Sequence, residues 1–491
     1  MVKMILVWRV ICIGVVVTRM CVVALPVKAE DRIGGSVTDS ESESIQSRPR
    51  KVGQTHQLFL DDQLIESIDG LKRIVNPPVR YDGNPVLTWD QPWEGNCVVA
   101  WGSVIYDHEA QIFKAWYEVY KKFPAAGQRK SLVCYATSVD GLQWHKPQVG
   151  RFTYDGSKEN NIVFLGDGSE LDSVTVFLDP HPTPAVKYRM YWYDSQRRGV
   201  RLATSRDGIQ WDVVGGIRVA AGDRTTAGYD ARRKKYYVIT RIPGRGLRTC
   251  GLWESDDGWE FDYVREILAP DAEDPQNTSF YGMVSFPYAG LQLGFLEFFY
   301  DRPIRKLNTQ LVYSHQGHHW HRACNRQVFL NWGPAGAWDQ AWAFPTHNPP
   351  IRRDDRLYLF FQARSTLHYG QQPYGHIGSI GLAYLRVDGF ASLDSIWTAG
   401  TVTTVPVVLQ GSTLYVNAHS RPGTVSAEVL DVNGEPISGF TREDCQPMSN
   451  QDCLECPLSW RNDRQLTELA GRTVRLRFHV QGAKLYSFWT Q

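Results

Sequence analysis

Five carboxylates stand at corresponding places along this chain: Glu94, Asp172, Asp223, Asp274 and Asp339. Each comes just before a short apolar run, and the runs cover residues 98–106, 173–178, 225–229, 281–286 and 341–346. If these runs are the innermost strands of a repeated unit, all pointing the same way, the five acids converge on one mouth. Clustered carboxylates suit one kind of chemistry. An acid whose pKa is raised by burial or by a neighbouring anion can protonate a leaving oxygen, while a second carboxylate activates water or attacks carbon. A third can hold the acid protonated by repulsion or bind hydroxyl groups. Trp93, Trp101, Tyr281, Trp338 and Trp342 lie close by in sequence, and such rings supply the apolar walls on which sugars stack. The same positions also have a structural reading, because Asp and Glu near strand starts cap turns and keep surfaces soluble.

Further candidates sit on or just after the middle runs of the units: Glu118, Asp194, Arg241, Glu297 and Arg364. Arg241 and Arg364 suit a substrate carboxylate or hydroxyl, or a salt bridge to the acid ring. His347 and His368 belong to the fifth unit and can approach the same mouth. Asp107, Asp179 and Asp230 fall at the far ends of the inner runs and read as turn residues. His318-His319-Trp320-His321 has the composition of a metal site, but it falls at an outer turn, and no metal is assigned to it.

The elements that must position these groups follow from a weak repeat. Its marker is Ser138-Val-Asp140-Gly141-Leu-Gln-Trp144, which returns as Ser205-Arg-Asp207-Gly208-Ile-Gln-Trp211. Degraded copies are Ser255-Asp-Asp257-Gly258-Trp-Glu-Phe261 and Ser314-His-Gln316-Gly317-His-His-Trp320, with a looser fifth at Asp388-Gly389. Asp-Gly is a hairpin signal, since Gly accepts positive φ and Asp bonds nearby backbone. Each unit reads as inner strand, aromatic middle strand, third strand, turn and outer strand, and there are five units. Four-stranded units of this kind predict a five-bladed β-propeller over residues 55–397, with a six-bladed ring as the competitor. Residues 56–66 are expected to lend the strand that closes the ring. From residue 398 to 491, short alternating strands and Asn433-Gly434 predict a small C-terminal β-sandwich. The fold class is all-β.

Composition agrees with this. The chain of 491 residues has 12% aromatic residues, 42 Gly and 26 Pro, which favours short strands and tight turns over long helices. A net charge of +1 without a basic stripe argues against nucleic acid and anionic membranes as partners. Residues 1–29 read as an export signal, with Lys3 and Arg9 followed by apolar runs and a Val27-Lys28-Ala29 cleavage site. Arg9 and Arg19 interrupt the apolar stretch, so an uncleaved anchor is the alternative. A secreted or periplasmic protein is expected, with residues 30–54 as a polar linker and no membrane association after cleavage. Seven of nine cysteines remain, and Cys445, Cys453 and Cys456 cluster where one bridge is permitted.

Several segments carry a resemblance: residues 58–66, Pro92-Trp93-Glu94, the repeated Ala-Thr-Ser-x-Asp-Gly turns, Leu385-Arg-Val-Asp-Gly-Phe390 and Glu428-Val-Leu-Asp-Val-Asn-Gly434. The chain resembles secreted five-bladed propeller proteins related to glycoside hydrolase families 32, 43, 62 and 68, in particular a subgroup of planctomycete-type bacteria. The resemblance implies catalytic acids from the first three blades, which by position are Glu94, Asp172 and Asp223. Glu94 is then the general acid, Asp223 the base or nucleophile, and Asp172 the pKa modulator or substrate clamp. The family order ends on Glu, whereas here the Glu comes first, and the Asn-Asp-Pro and Arg-Asp-Pro signatures of invertase-like members are missing. Expected substrate contacts are Trp93, Trp101, Arg241, Asp274, Tyr281, Asp339, Trp342 and His347. The partner is an oligo- or polysaccharide. No cofactor is required, and a structural calcium in the central channel is left open. The alternative function is a non-catalytic carbohydrate-binding or surface-adhesive propeller.

Overall fold

The computed structural model describes residues 49–120, 131–168, 170–242, 246–369 and 377–491, with backbone alone at Val99 and Ala100. The expected export signal and most of the expected linker lie outside the described residues. What is described is almost entirely β-strand, with a few short 3-10 turns and no α-helix among the described residues. No helix there is long and apolar enough to cross a membrane.

Three antiparallel meanders of four strands follow one another. The first runs Val98–Asp107, Ile112–Tyr120, Ser131–Ser138 and Ile162–Phe164; the second Leu171–Leu178, Tyr188–Asp194, Gly199–Ser205 and Asp212–Ala220; the third Thr225–Asp230, Lys235–Arg241, Cys250–Ser255 and Asp262–Leu268. A fourth meander, Thr278–Tyr288, Leu291–Tyr300 and Lys306–Ser314 with two short outer strands, joins a fifth through one parallel pair, Leu307 with Trp342. The fifth comprises Trp342–Pro345, Arg356–Arg364, Gly378–Arg386 and, from the other end of the chain, Val79–Arg80.

Burial explains the residue types. Tyr188–Asp194 and Gly199–Ser205 are buried at every position, whereas Asp212–Ala220 is mostly exposed. A strand buried on both faces needs apolar bulk on both, hence the aromatic middle runs. Separate apolar cores lie between successive meanders, and the core around Phe113, Ala115, Phe360 and Leu382 joins the fifth back to the first.

The marker turn forms these joints. In it the Asp207 carboxylate accepts from the amides of Ile209 and Gln210, and the Ser205 hydroxyl accepts from Gly208 N at 2.8 Å. Gly208 has φ +78°, a value that favours glycine. Its carbonyl accepts from Trp116 Nε1 of the preceding meander at 2.6 Å, and the carbonyl of Gly258 accepts from Tyr191 in the same way.

The remaining strands form two seven-stranded sheets around one apolar core that includes Val402, Leu414, Val429, Phe478 and Leu485. N-terminal strands belong to both: Ile65–Asp69 pairs with Gly400–Thr404, and Gln57–Leu58 with Ala483–Thr490. Residues 56–66 therefore lie with the C-terminal strands, and Val79–Arg80 is the N-terminal segment that pairs with the fifth meander. Arg50–Val52, inside the expected linker, is also a strand and runs parallel to Val407–Leu409. The cysteines in the described residues, Cys445, Cys453 and Cys456 among them, are unbridged.

Candidate functional site

Two of the five aligned acids meet. Asp172 is the second residue of the first strand of the second meander, and Asp223 precedes the first strand of the third. Between them stands Ser173, at φ +57° within a register shift of its strand. Its hydroxyl lies 2.9 Å from Asp172 Oδ1 and 2.9 Å from the carbonyl oxygen of Asp223, and its amide donates to Glu118 Oε2 at 3.1 Å. A serine hydroxyl has one proton to give. When it donates to the Asp223 carbonyl, the contact with Asp172 is favourable only if the Asp172 carboxyl is protonated and donates to Ser173 Oγ.

Burial and charge hold the Asp172 carboxyl in its protonated form against a Ser173 bond, which lowers the pKa when the hydroxyl donates to Asp172. Burial, then the nearby charge of Asp223, raises the Asp172 pKa to about 7. Glu118 is fully buried, and burial followed by the charge of Asp172 pushes its carboxyl well above the usual range. Oε1 of Glu118 is buried with no hydrogen-bond partner among the described residues. Asp223 by contrast is exposed and forms an ion pair with Arg241. The cluster holds two carboxyls that favour the protonated form and one solvent-facing carboxylate.

A basic and aromatic wall surrounds the acids. Arg224, buried, is held by both oxygens of Glu297 and by His347 Nε2, while His347 Nδ1 lies 2.9 Å from Thr175 Oγ1. Burial and Arg224 keep His347 neutral by holding its pKa well down. Arg241 stacks over Tyr281 at 4.5 Å and donates to the Tyr281 carbonyl oxygen at 3.1 Å. Arg364 lies over Trp342 at 4.1 Å and Trp101 at 5.0 Å. Trp101 and Tyr281 stack with ring centres 6.4 Å apart. His368 packs flat on Trp342 and sits 3.2 Å from the Tyr281 hydroxyl; burial and Arg248 lower its pKa to about 3. The structure thus brings Asp172, Asp223, Trp101, Arg241, Tyr281, Trp342 and His347 into one cluster.

Four expected site residues are elsewhere. Glu94 is fully buried, and its oxygens accept from the amides of Asp90 and Gln91, from Tyr117 at 2.6 Å and from Lys146 at 2.8 Å. It caps a turn and neutralises a lysine, and its complete burial keeps it from a substrate. Asp274 is paired with Arg322 at 3.1 Å and Arg326 at 3.2 Å. Asp339 holds Arg80 of the closing strand at 2.9 Å. Trp93 Nε1 donates to Asn161 at 2.8 Å. Each is engaged in the scaffold, in every case with at least one partner from a segment distant in sequence, which spacing does not reveal. Glu118, Ser173 and Arg224 join the site instead. The raised regularity on the middle strands pointed towards Glu118; nothing in the sequence marks the backbone turn at Ser173.

The described residues contain no group of three or more His, Cys, Asp or Glu side chains able to hold a metal.

No family model matches this chain, and no curated protein does. Among solved structures it is similar to one described as a glycoside hydrolase, at 13% identity and TM-score 0.47, covering 63% of this chain and 92% of that one. It is also similar to a β-1,2-mannobiose phosphorylase from Listeria innocua, at 12% identity and TM-score 0.47, over 64% and 97% of the two chains. A third is Zg3597, a family 117 glycoside hydrolase of Zobellia galactanivorans, at 13% identity and TM-score 0.40, over 66% and 92%. At this level of likeness the chemistry has to be argued from the site's own residues.

Proposed function

We propose that the protein hydrolyses a glycosidic bond, with Asp172 as proton donor and Asp223 as the carboxylate that activates water or attacks the anomeric carbon. The observation that carries this reading is the split between the two acids across Ser173. Asp172 is poised with a pKa of about 7, and Asp223 is an exposed carboxylate ion-paired with Arg241. Glycosidic cleavage needs that division of labour. The Asp172 proton goes to the leaving oxygen, the C–O bond breaks, and water supplies the hydroxyl at the anomeric carbon and the proton that restores the acid. Glu118 is buried beside Asp172, whose charge helps hold the Glu118 carboxyl in its protonated form. Trp101, Tyr281 and Trp342 are buried and wall the cluster, holding Arg241 and Arg364 in place beside the acids.

The scaffold reading goes with it. We take the five meanders as the blades of a five-bladed propeller, related to the hydrolase families named above, and the two further sheets as a β-sandwich that also includes residues 50–75. Residues 1–29 are taken as a signal for export to the periplasm or medium, with an oligo- or polysaccharide as the partner met there.

The test is hydrolysis of a panel of plant and algal polysaccharides and aryl glycosides by the protein lacking residues 1–29, beside Asp172→Asn and Asp223→Asn. The reading expects cleavage by the wild type and a loss of about 10²-fold or more in each folded variant. Binding of a glycan without cleavage of any would replace it with the carbohydrate-binding reading.

A further inference from the structure

A cavity of about 690 Å³ opens beside the acid pair, lined among others by Leu247, Arg248, Thr278, Ser279, Arg302 and Tyr369. That volume is in the ordinary range for a ligand site. It is connected to the acids through one ring. Arg248 lies over Tyr281 at 5.5 Å, and Arg241, the partner of Asp223, lies over the same ring at 4.5 Å.

Its chemistry is unbalanced. Arg248 donates to the Tyr369 hydroxyl at 2.7 Å and stacks on Phe299, and Arg302 lies over the Tyr369 ring. No Arg248 or Arg302 ion pair with a carboxylate appears among the described residues, whereas Arg224 and Arg241 each have one. The single acid of the lining, Asp301, accepts from the amide of Arg302 at 2.7 Å. The Thr278 and Ser279 hydroxyls are buried without a partner among the described residues, an arrangement that costs stability until something bonds to them. Tyr369 and Leu247 are exposed at the edge, 47% and 54% respectively, and Tyr369 offers a ring face. Two guanidinium groups without an ion pair among the described residues, beside an exposed ring, match a sugar that carries an oxyanion, because guanidinium binds carboxylate and sulfate through paired charge-assisted hydrogen bonds.

We propose that this cavity is a subsite for a sugar residue bearing a negatively charged substituent, a carboxylate or a sulfate ester, with Arg248 and Arg302 as its anion receptors. The proposal rests on the glycosidase reading for the adjoining acids, and it makes the preferred substrate an acidic saccharide.

Binding separates the two ideas. Calorimetry on the Asp172→Asn protein would compare trigalacturonate and a glucuronate-containing trisaccharide with their methyl esters, and sulfated galactan tetrasaccharides with their desulfated forms. The expected result is about tenfold or greater preference for the charged member of at least one pair, weakened by salt. Preference within the uronate pairs assigns a carboxylate; preference within the sulfated pairs assigns a sulfate. Arg248→Gln removes that preference, so that charged and neutral members bind alike. Arg302→Gln, on an exposed side chain, reduces it in a protein whose folding is not at risk. Equal affinity for charged and neutral members, or no binding of any charged member, overturns the proposal. Hydrolysis of neutral glycosides by the wild type in that case leaves the glycosidase reading standing.

Discussion

The amide of Ser173 donates to Oε2 of Glu118 at 3.1 Å, tying the start of one meander to the middle strand of the one before it. That bond places a buried carboxyl beside Asp172, whose charge helps raise the pKa of that carboxyl, while burial and the charge of Asp223 raise that of Asp172. Activity is expected to fall above about pH 7 with the slope of one proton, as Asp172 loses the proton it must donate. Asp223→Asn removes one cause of the raised pKa, so the Asp172 carboxyl, followed by carbon NMR, is expected to titrate lower in that variant. An unmoved titration would mean that burial alone sets it.

Glu118 makes a prediction about stability. Its folded pKa is raised by burial and by Asp172, so the stability it allows is fully present below the unfolded carboxyl value of about 4.3 and is lost as pH rises through the folded value. Glu118→Gln cannot ionise. Its melting temperature is expected to gain on that of the wild type steadily between pH 5 and pH 8. A gap that stays constant with pH contradicts the assignment.

Glu94 separates scaffold from chemistry. Glu94→Gln weakens the bond network of a buried carboxylate with Lys146 and Tyr117, at a cost of about 1–3 kcal/mol. Chemical denaturation should show that loss, while the pH profile of the remaining activity keeps its shape. Full stability with abolished activity would return the general-acid role to Glu94.

Much of the fold is legible because the marker turn carries its own physics: Asp bonds amides, Gly takes positive φ, and the aromatic packs beside it. The site is legible only in part. Asp172 and Asp223 stand at equivalent strand starts and do meet. Glu94, Asp274 and Asp339 stand at similar places, yet Lys146, Arg322 and Arg80 claim them, and two of those partners lie about fifty residues away and the third over two hundred. Residues 56–66 look like a closing strand because they stand just before the first repeated unit. They pair instead with C-terminal strands, a choice made by tertiary packing that local pattern does not encode.

The turn itself can be tested with two glycines. Gly208 and Gly156 both have positive φ, at +78° and +83°. A Cβ on Gly208 would collide with the Trp116 ring, while one on Gly156 meets open space. Gly156→Ala is expected to cost about 1–2 kcal/mol from backbone strain alone, and Gly208→Ala about 3 kcal/mol or more. Equal melting temperatures for the two would argue against the joint between the first and second meanders.

The most direct test of Asp172 as proton donor is the leaving-group dependence of Asp172→Asn on glycosides of the sugar that the wild type cleaves. A dinitrophenolate leaves without protonation, whereas an alkoxide does not. The account predicts a loss of about 10²-fold or more on alkyl glycosides and a much smaller loss on the dinitrophenyl glycoside. An equal loss on both would contradict it, because Asp172 would then be acting on something other than the leaving oxygen.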